Sequence, residues 1–139
     1  MKKILKSDDG FAYIDAILVF VFAMLGLSLI LGVLPVFMQK QNLDYMAHEV
    51  IKTAEVQGNT GAKALERYNE VQDDTGLEPE SISFDGTEHI GATKNVQIND
   101  TIRVTLISNF SLFNGYLMDE GINIELSSTA TGRSGVYYK

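Results

Sequence analysis

The sequence predicts an α+β chain: a long N-terminal helix serving as a transmembrane and amphipathic spine, a short second helix, and a small C-terminal antiparallel sheet. Three observations predict it. From Ala16 to Met38 the chain has 23 consecutive positions without a charge. Apolar residues then recur at three- and four-residue spacing as far as Ala54. Beyond Pro79 the apolar period changes to two.

The uncharged run reads AILVFVFAMLGLSLILGVLPVFM. As a helix it would extend roughly 34 Å, enough for a hydrocarbon core of about 30 Å. It is much longer than the 7–15 apolar residues of a secretory signal, and its exit, LPVFMQKQNL, lacks an Ala-x-Ala-like cleavage site. Lys2, Lys3 and Lys6 precede the span and only Lys40 follows it closely. The positive-inside tendency therefore places the N-terminus in the cytoplasm and the C-terminal domain outside the cell membrane, as a single-pass protein.

After the span, Leu43, Met46, Ala47, Val50, Ile51 and Ala54 form one apolar stripe. Pro35 is the one breaker before them, so the helix is expected to continue, with a kink or a loosened turn between Leu31 and Pro35, to about Gln57, with Gly58 as its stop. A second helix is expected from near Thr60 to Gly76, with Leu65, Tyr68 and Val71 buried and Glu66 and Glu70 wet. Pro79 in LEPES turns the chain. Strands are expected at Ser81–Phe84, Val96–Ile98, Thr101–Phe113 and Ile122–Ala130, with a tight turn at Asp85-Gly86. Ile102, Val104, Leu106 and Phe110, and again Ile122, Ile124 and Leu126, alternate with polar neighbours. Such a sheet has one wet face and packs its dry face on the outer half of the long helix.

Charge and composition narrow the function. The chain has 18 acidic against 11 basic residues, for a formal charge of −7, and no cysteine. An acidic exported domain is a poor match for nucleic acid or anionic lipid. Disulfides and thiolate metal sites are excluded. His48 and His89 lack ligand-spaced partners, and His48-Glu49, being adjacent, point to different helix faces. No His-Glu-x-x-His, Gly-x-Ser-x-Gly or phosphate-loop pattern occurs. TGRSG follows a strand with no helix after it, DDTGLEPE lacks calcium-loop spacing, and the NFS triplet at Asn109 falls within an expected strand. The expectation is a non-enzyme with no catalytic residues, no cofactor and no metal.

The leader carries the sharpest signal. In KSDDGFAYIDAILVF a glycine precedes a phenylalanine, and Asp15 stands four residues past that Phe11 at the mouth of the apolar run. A carboxylate there has two explanations. It complements the positive end of the helix dipole, worth about 0.3–1 kcal/mol. Alternatively, cleavage between Gly10 and Phe11 creates an α-amino group at Phe11, and the amine of one helix meets the carboxylate of a neighbour. Each charge is costly in low dielectric and tolerable when paired.

Gly10 before Phe11, a carboxylate at the fifth mature position, a short basic leader and an uninterrupted apolar helix resemble the type IV prepilin signature, over roughly residues 1–40. The family residue at the acidic position is usually Glu, one methylene longer than Asp15. The resemblance implies removal of the leader by a prepilin peptidase, frequent N-methylation of Phe11, and assembly with other pilin-like subunits on a pilus assembly platform. The rest of the chain, with ALERYNEVQDDTGLEP and the closing IELSSTATGRSGVYYK, resembles TadE-like minor pilins and their relatives of unassigned function in Gram-positive bacteria. The expected organisation is a leader (1–10), a transmembrane helix (11–38), its amphipathic continuation (39–58) and an extracytoplasmic α+β domain (59–139), with the product in the membrane or in a surface or secretion filament. An uncleaved single-pass accessory protein of a secretion or conjugation apparatus and a tethered binding module are the competing readings.

Secondary features fit either use. Ser28 and Gly32, with Gly26 nearby, make a small-xxx-small pair that permits close helix approach. Pro35 lies where type IV pilins often loosen on assembly. Tyr13 suits an interfacial anchor. Tyr137 and Tyr138 either finish the sheet edge or face a partner.

Overall fold

The computed structural model describes residues 8–112 and 121–139, with side chains from Tyr13 onward. The leader lysines and Phe113 lie outside the described residues. Among the described residues the elements follow in the order α1 (Asp8–Gln57), α2 (Ala62–Thr75), β1 (Ser81–Ser83), β2 (Thr101–Leu112) and β3 (Ile122–Arg133). The chain forms two compact units that divide after Pro35.

The α1 helix contains Pro35 without ending there. Its stop is chemical. Gly58 adopts φ +59°, and the N–H of Asn59 donates to the Ala54 carbonyl at 3.3 Å, as in a Schellman cap. The α2 helix ends by the simpler device: Gly76 at φ +64° donates its N–H to Gln72 O at 2.9 Å. In both places a glycine supplies the left-handed conformation that a side chain would strain.

The sheet has the order β1-β2-β3 and is antiparallel throughout. β2 and β3 pair along their full length, from Thr101↔Arg133 to Leu112↔Ile122. β1 adds three residues, from Ser81↔Ile107 to Ser83↔Thr105. The dry face is even-numbered: Ile102, Val104, Leu106, Ser108 and Leu112 on β2, and Ser128 and Ala130 on β3, are buried. That face shares one core with Leu43, Met46, Ala47, Val50, Ile51 and Ala54 of α1, with Ala64 and Val71 of α2, and with Leu77 and Val96. Truncating one of its large members to Ala costs about 2–5 kcal/mol.

Four expectations need correction. Val96–Ile98 is not a strand: Val96 makes an isolated bridge to His89, and Ile98 is exposed. Val96 instead joins α1, its N–H donating to Gly58 O at 2.8 Å. In α2 the buried residues are Ala64 and Val71, while Leu65 and Tyr68 are half-buried. On β3 Ile122 is half exposed, because burial of the strand deepens only toward Ser128 and Ala130. The C-terminal rings do not finish the sheet, which ends at Arg133; the tail turns onto the end of α1. There Gly135 N–H donates to Glu55 O at 2.9 Å and Tyr138 OH to Gln57 O at 3.1 Å, satisfying carbonyls that the last helical turn leaves open.

Candidate functional site

The first half of α1 is a rod of apolar side chains. From Tyr13 to Pro35 every residue is exposed except Gly32, which is half-buried. Leu18, Val19, Phe20 and Val21, successive residues each turned about 100° from the last, are all about half or more exposed, so apolar side chains surround the helix rather than mark one side. By length and composition this helix can cross a membrane. In water such a surface would be strongly unfavourable, so it needs lipid or other apolar helices around it.

The residues singled out from the sequence fall along this rod. Gly10 and Phe11 lie in its first turns. Asp15 is exposed, and its place four residues after Phe11 brings it about one turn further, on the same face. Tyr13 is exposed at 74%. Gly26 is open, with no atom within 4 Å of where a Cβ would stand, and Ser28 is exposed.

A second set of residues, in the outer unit, went unnoticed in the sequence. Just past the apolar run, Lys40 Nζ meets Asp44 Oδ1 at 2.5 Å and donates to the Ser127 carbonyl at 2.7 Å. Ser128, buried on β3, donates its hydroxyl to the same Asp44 oxygen at 2.6 Å. This clasp ties the foot of the outer helix to the middle of β3. Partial burial alone would raise the Asp44 pKa, but hydrogen bonds from Lys40 and Ser128, with the Lys40 charge, hold it below the usual aspartate value. The i,i+4 spacing of Lys40 and Asp44 was visible in the sequence. Their partner more than eighty positions away carried no such signal.

Further along, Arg67 of α2 bridges Glu49 of α1 at 2.8 Å and Glu70 at 2.9 Å. The hydrogen bond from Arg67, aided by the Lys52 charge, lowers the Glu49 pKa despite some desolvation. Near the distal end, the Glu55 carboxylate accepts the Arg133 N–H at 2.9 Å. It lies so close over Gly132 that a Cβ there would collide with it.

The remaining candidates are scattered. His48 is exposed on α1. His89 Nε2 pairs with Thr60 Oγ1 at 2.9 Å. Asn109 is exposed on β2 and donates its side-chain amide to Glu80. Among the described residues no three His, Cys, Asp or Glu side chains are grouped to hold a metal.

A family model described as a domain of unknown function, DUF4320, matches residues 20–139. The chain belongs to this family. The match takes in most of the apolar helix and the whole outer unit, and it begins past Gly10, Phe11 and Asp15. No curated protein and no solved structure matches this DUF4320 chain.

Proposed function

We propose that this DUF4320 protein is a pilin-like structural subunit of the TadE-like minor class. It is inserted with its N-terminus in the cytoplasm, cut between Gly10 and Phe11 by a prepilin peptidase, and assembled through its N-terminal helix with other pilin-like subunits on an assembly platform. Its work is assembly rather than catalysis. The helix exchanges lipid for neighbouring helices, and the outer unit decorates a type IV-like pilus or a secretion or conjugation filament.

One observation carries this reading: a helix apolar on every side has a single carboxylate, Asp15, at the mouth of its uncharged run, one turn after Phe11. In a plain tether that charge has only the helix dipole to complement, worth about 0.3–1 kcal/mol. A helix packing among copies has a further use for it, because the carboxylate and a new α-amine fix its depth, and a helix at the wrong depth leaves two uncompensated charges. The competing reading, an uncleaved membrane-anchored accessory protein, draws on the family match beginning at residue 20, past the whole leader motif.

The deciding measurement is the N-terminal mass of the protein isolated from its native host. A mature chain beginning at Phe11, with or without a methyl group, is expected. A chain that retains Met1 through Gly10 in its working location rules the pilin-like role out.

A further inference from the structure

We propose that the outer face of α2 joins copies of this chain end to end, the basic start of the helix in one copy seated against the acidic end of α2 in the next. The inference rests on the reading above, in which many copies gather in one assembly.

The α2 helix turns Ala64 and Val71 into the core and leaves Lys63, Glu66, Glu70, Asp73 and Asp74 exposed on its other side. Along that side the charge changes sign. Lys63 lies in the first turn, and Lys94 reaches the same place. The Lys94 side chain passes within 3.6 Å of where a Cβ on Gly61 would stand, and its carbonyl accepts the Thr60 N–H at 3.0 Å. Both lysines are exposed, and among the described residues neither takes part in an ion pair. The one carboxylate in the segments 58–64 and 88–97 is Glu88, which accepts the Thr101 N–H at 3.0 Å.

Toward the other end, the segment 66–80 has Glu66, Glu70, Asp73, Asp74, Glu78 and Glu80 against Arg67 alone. Arg67 is already held by Glu49 and Glu70, and Glu80 accepts from Asn109. Asp73, Asp74 and Glu78 are exposed and in no ion pair among the described residues.

This order runs against the field of the helix. Aligned peptide dipoles make the start of a helix positive and its end negative, so carboxylates suit the first turn and cations the last. The α2 helix has no acidic residue in its first turn, no basic residue in its last and no side-chain cap at Gly61. Lys63 instead adds to the positive end, and Asp73 and Asp74 add to the negative one. Within one chain that arrangement is unfavourable at both ends. Between copies both terms change sign, because dipole and side chains at one end attract dipole and side chains at the other. A break of a local rule without an internal gain marks residues that answer to something outside the fold.

Charge complementarity names the occupant. One helix, roughly 21 Å long, carries both members of the pair, so a second copy supplies what each end lacks. Each junction leaves one end of each copy free, and the contact repeats without closing, as a filament requires. Exposed charge pairs are individually weak, so the contact forms where the membrane helices already concentrate the copies.

Reversing the charges tests the contact and spares the fold. Lys63→Glu with Lys94→Glu makes both ends acidic, and Asp73→Lys with Asp74→Lys and Glu78→Lys makes both ends basic. The helical substitutions put charge where the dipole favours it, so the unfolding midpoint of each full-length variant in detergent should stay level or rise. A lower midpoint would show that the native charges serve the fold, and overturns the proposal. Tagged and untagged full-length copies are then expressed together and purified through the tag at low salt, since exposed charges are screened beyond about 10 Å at 0.1 M. Recovery of the untagged copy should fall several-fold when both copies carry the same set. It should return toward the native level when each copy carries a different set, because every junction then joins unlike charges. Unchanged recovery with a single set, or a mixture no better than either set alone, overturns the contact. The N-terminal mass of the same preparation separates the two levels. A retained leader defeats the pilin-like reading whatever the charges do, whereas a chain that begins at Phe11 and gains nothing from the mixture defeats only this contact.

Discussion

Gly58 shows how much one residue settles. Its φ of +59° ends α1, and a Cβ there would lie 2.6 Å from the Cβ of Val136 in the capping tail. Gly58→Ala therefore meets two penalties: the left-handed conformation, about 1 kcal/mol for a residue with a Cβ, and a displaced tail. The full chain in detergent micelles should lose roughly 1–3 kcal/mol in denaturant unfolding, whereas Gly76→Ala, with open space around it, should lose only the first part. Equal losses would show that the Val136 contact is unimportant. Asp44 and Glu49 make a different kind of prediction. Both carboxyls are held below their ordinary values, 3.8 and 4.5 respectively. A depressed folded-state pKa stabilises the fold above the unfolded value, and that stability is lost as the pH falls through the folded value. Stability should thus decline as the pH drops from about 5 toward 3, and the double variant Asp44→Asn, Glu49→Gln should decline less over that window while starting lower at neutral pH. Both groups are partly exposed, so the difference should shrink in high salt.

At the scale of elements, what the sequence made legible depended on the range of the cause. The α1 stripe, its end at Gln57, the Asp85-Gly86 turn and the alternation along β2 are local patterns, and the structure reproduces them. The turn closes with Thr87 N–H on Phe84 O at 3.2 Å and Gly86 at φ +83°. The errors came from contacts distant in sequence. Val96-Gln97-Ile98 has the alternation of a strand, but Val96 is held by Gly58 and by the Ser134 hydroxyl, and neither contact leaves a signature near residue 96. The same holds for the tail, where GVYYK looks like an edge strand and acts as a helix cap. Tyr138 is fastened at three points, its hydroxyl to Gln57 O and its backbone to both ends of the Gln97 amide. Deleting residues 135–139 should therefore speed amide exchange in the last turn of α1 and around Gln97 more than tenfold, with little change in β2. Uniform exchange across all elements would mean that the tail supports the whole fold rather than this cap.

At the scale of the whole molecule, two solvents divide the chain. The outer unit has its own core and a polar surface, whereas the helix before it has apolar side chains on every side that none of the described residues buries. The core beyond Pro35 makes no use of residue 15, and variants at this position separate the two explanations of its charge. If Asp15 only complements the helix dipole, neutralising it removes about 0.3–1 kcal/mol from the helix and leaves assembly intact. If it answers the α-amine of a neighbour, its charge is indispensable and its length is adjustable. Asp15→Ala and Asp15→Asn should then insert and be cut normally yet enter assemblies at least tenfold less, as read by co-purification of tagged and untagged copies. Asp15→Glu, which keeps the charge and adds one methylene of reach, should enter at least as well as the native chain. Asn and Glu variants that both assemble as well as the native chain would leave the dipole as the sufficient account. A fall in both would mean that the site tolerates only the native side chain, which points to packing rather than charge.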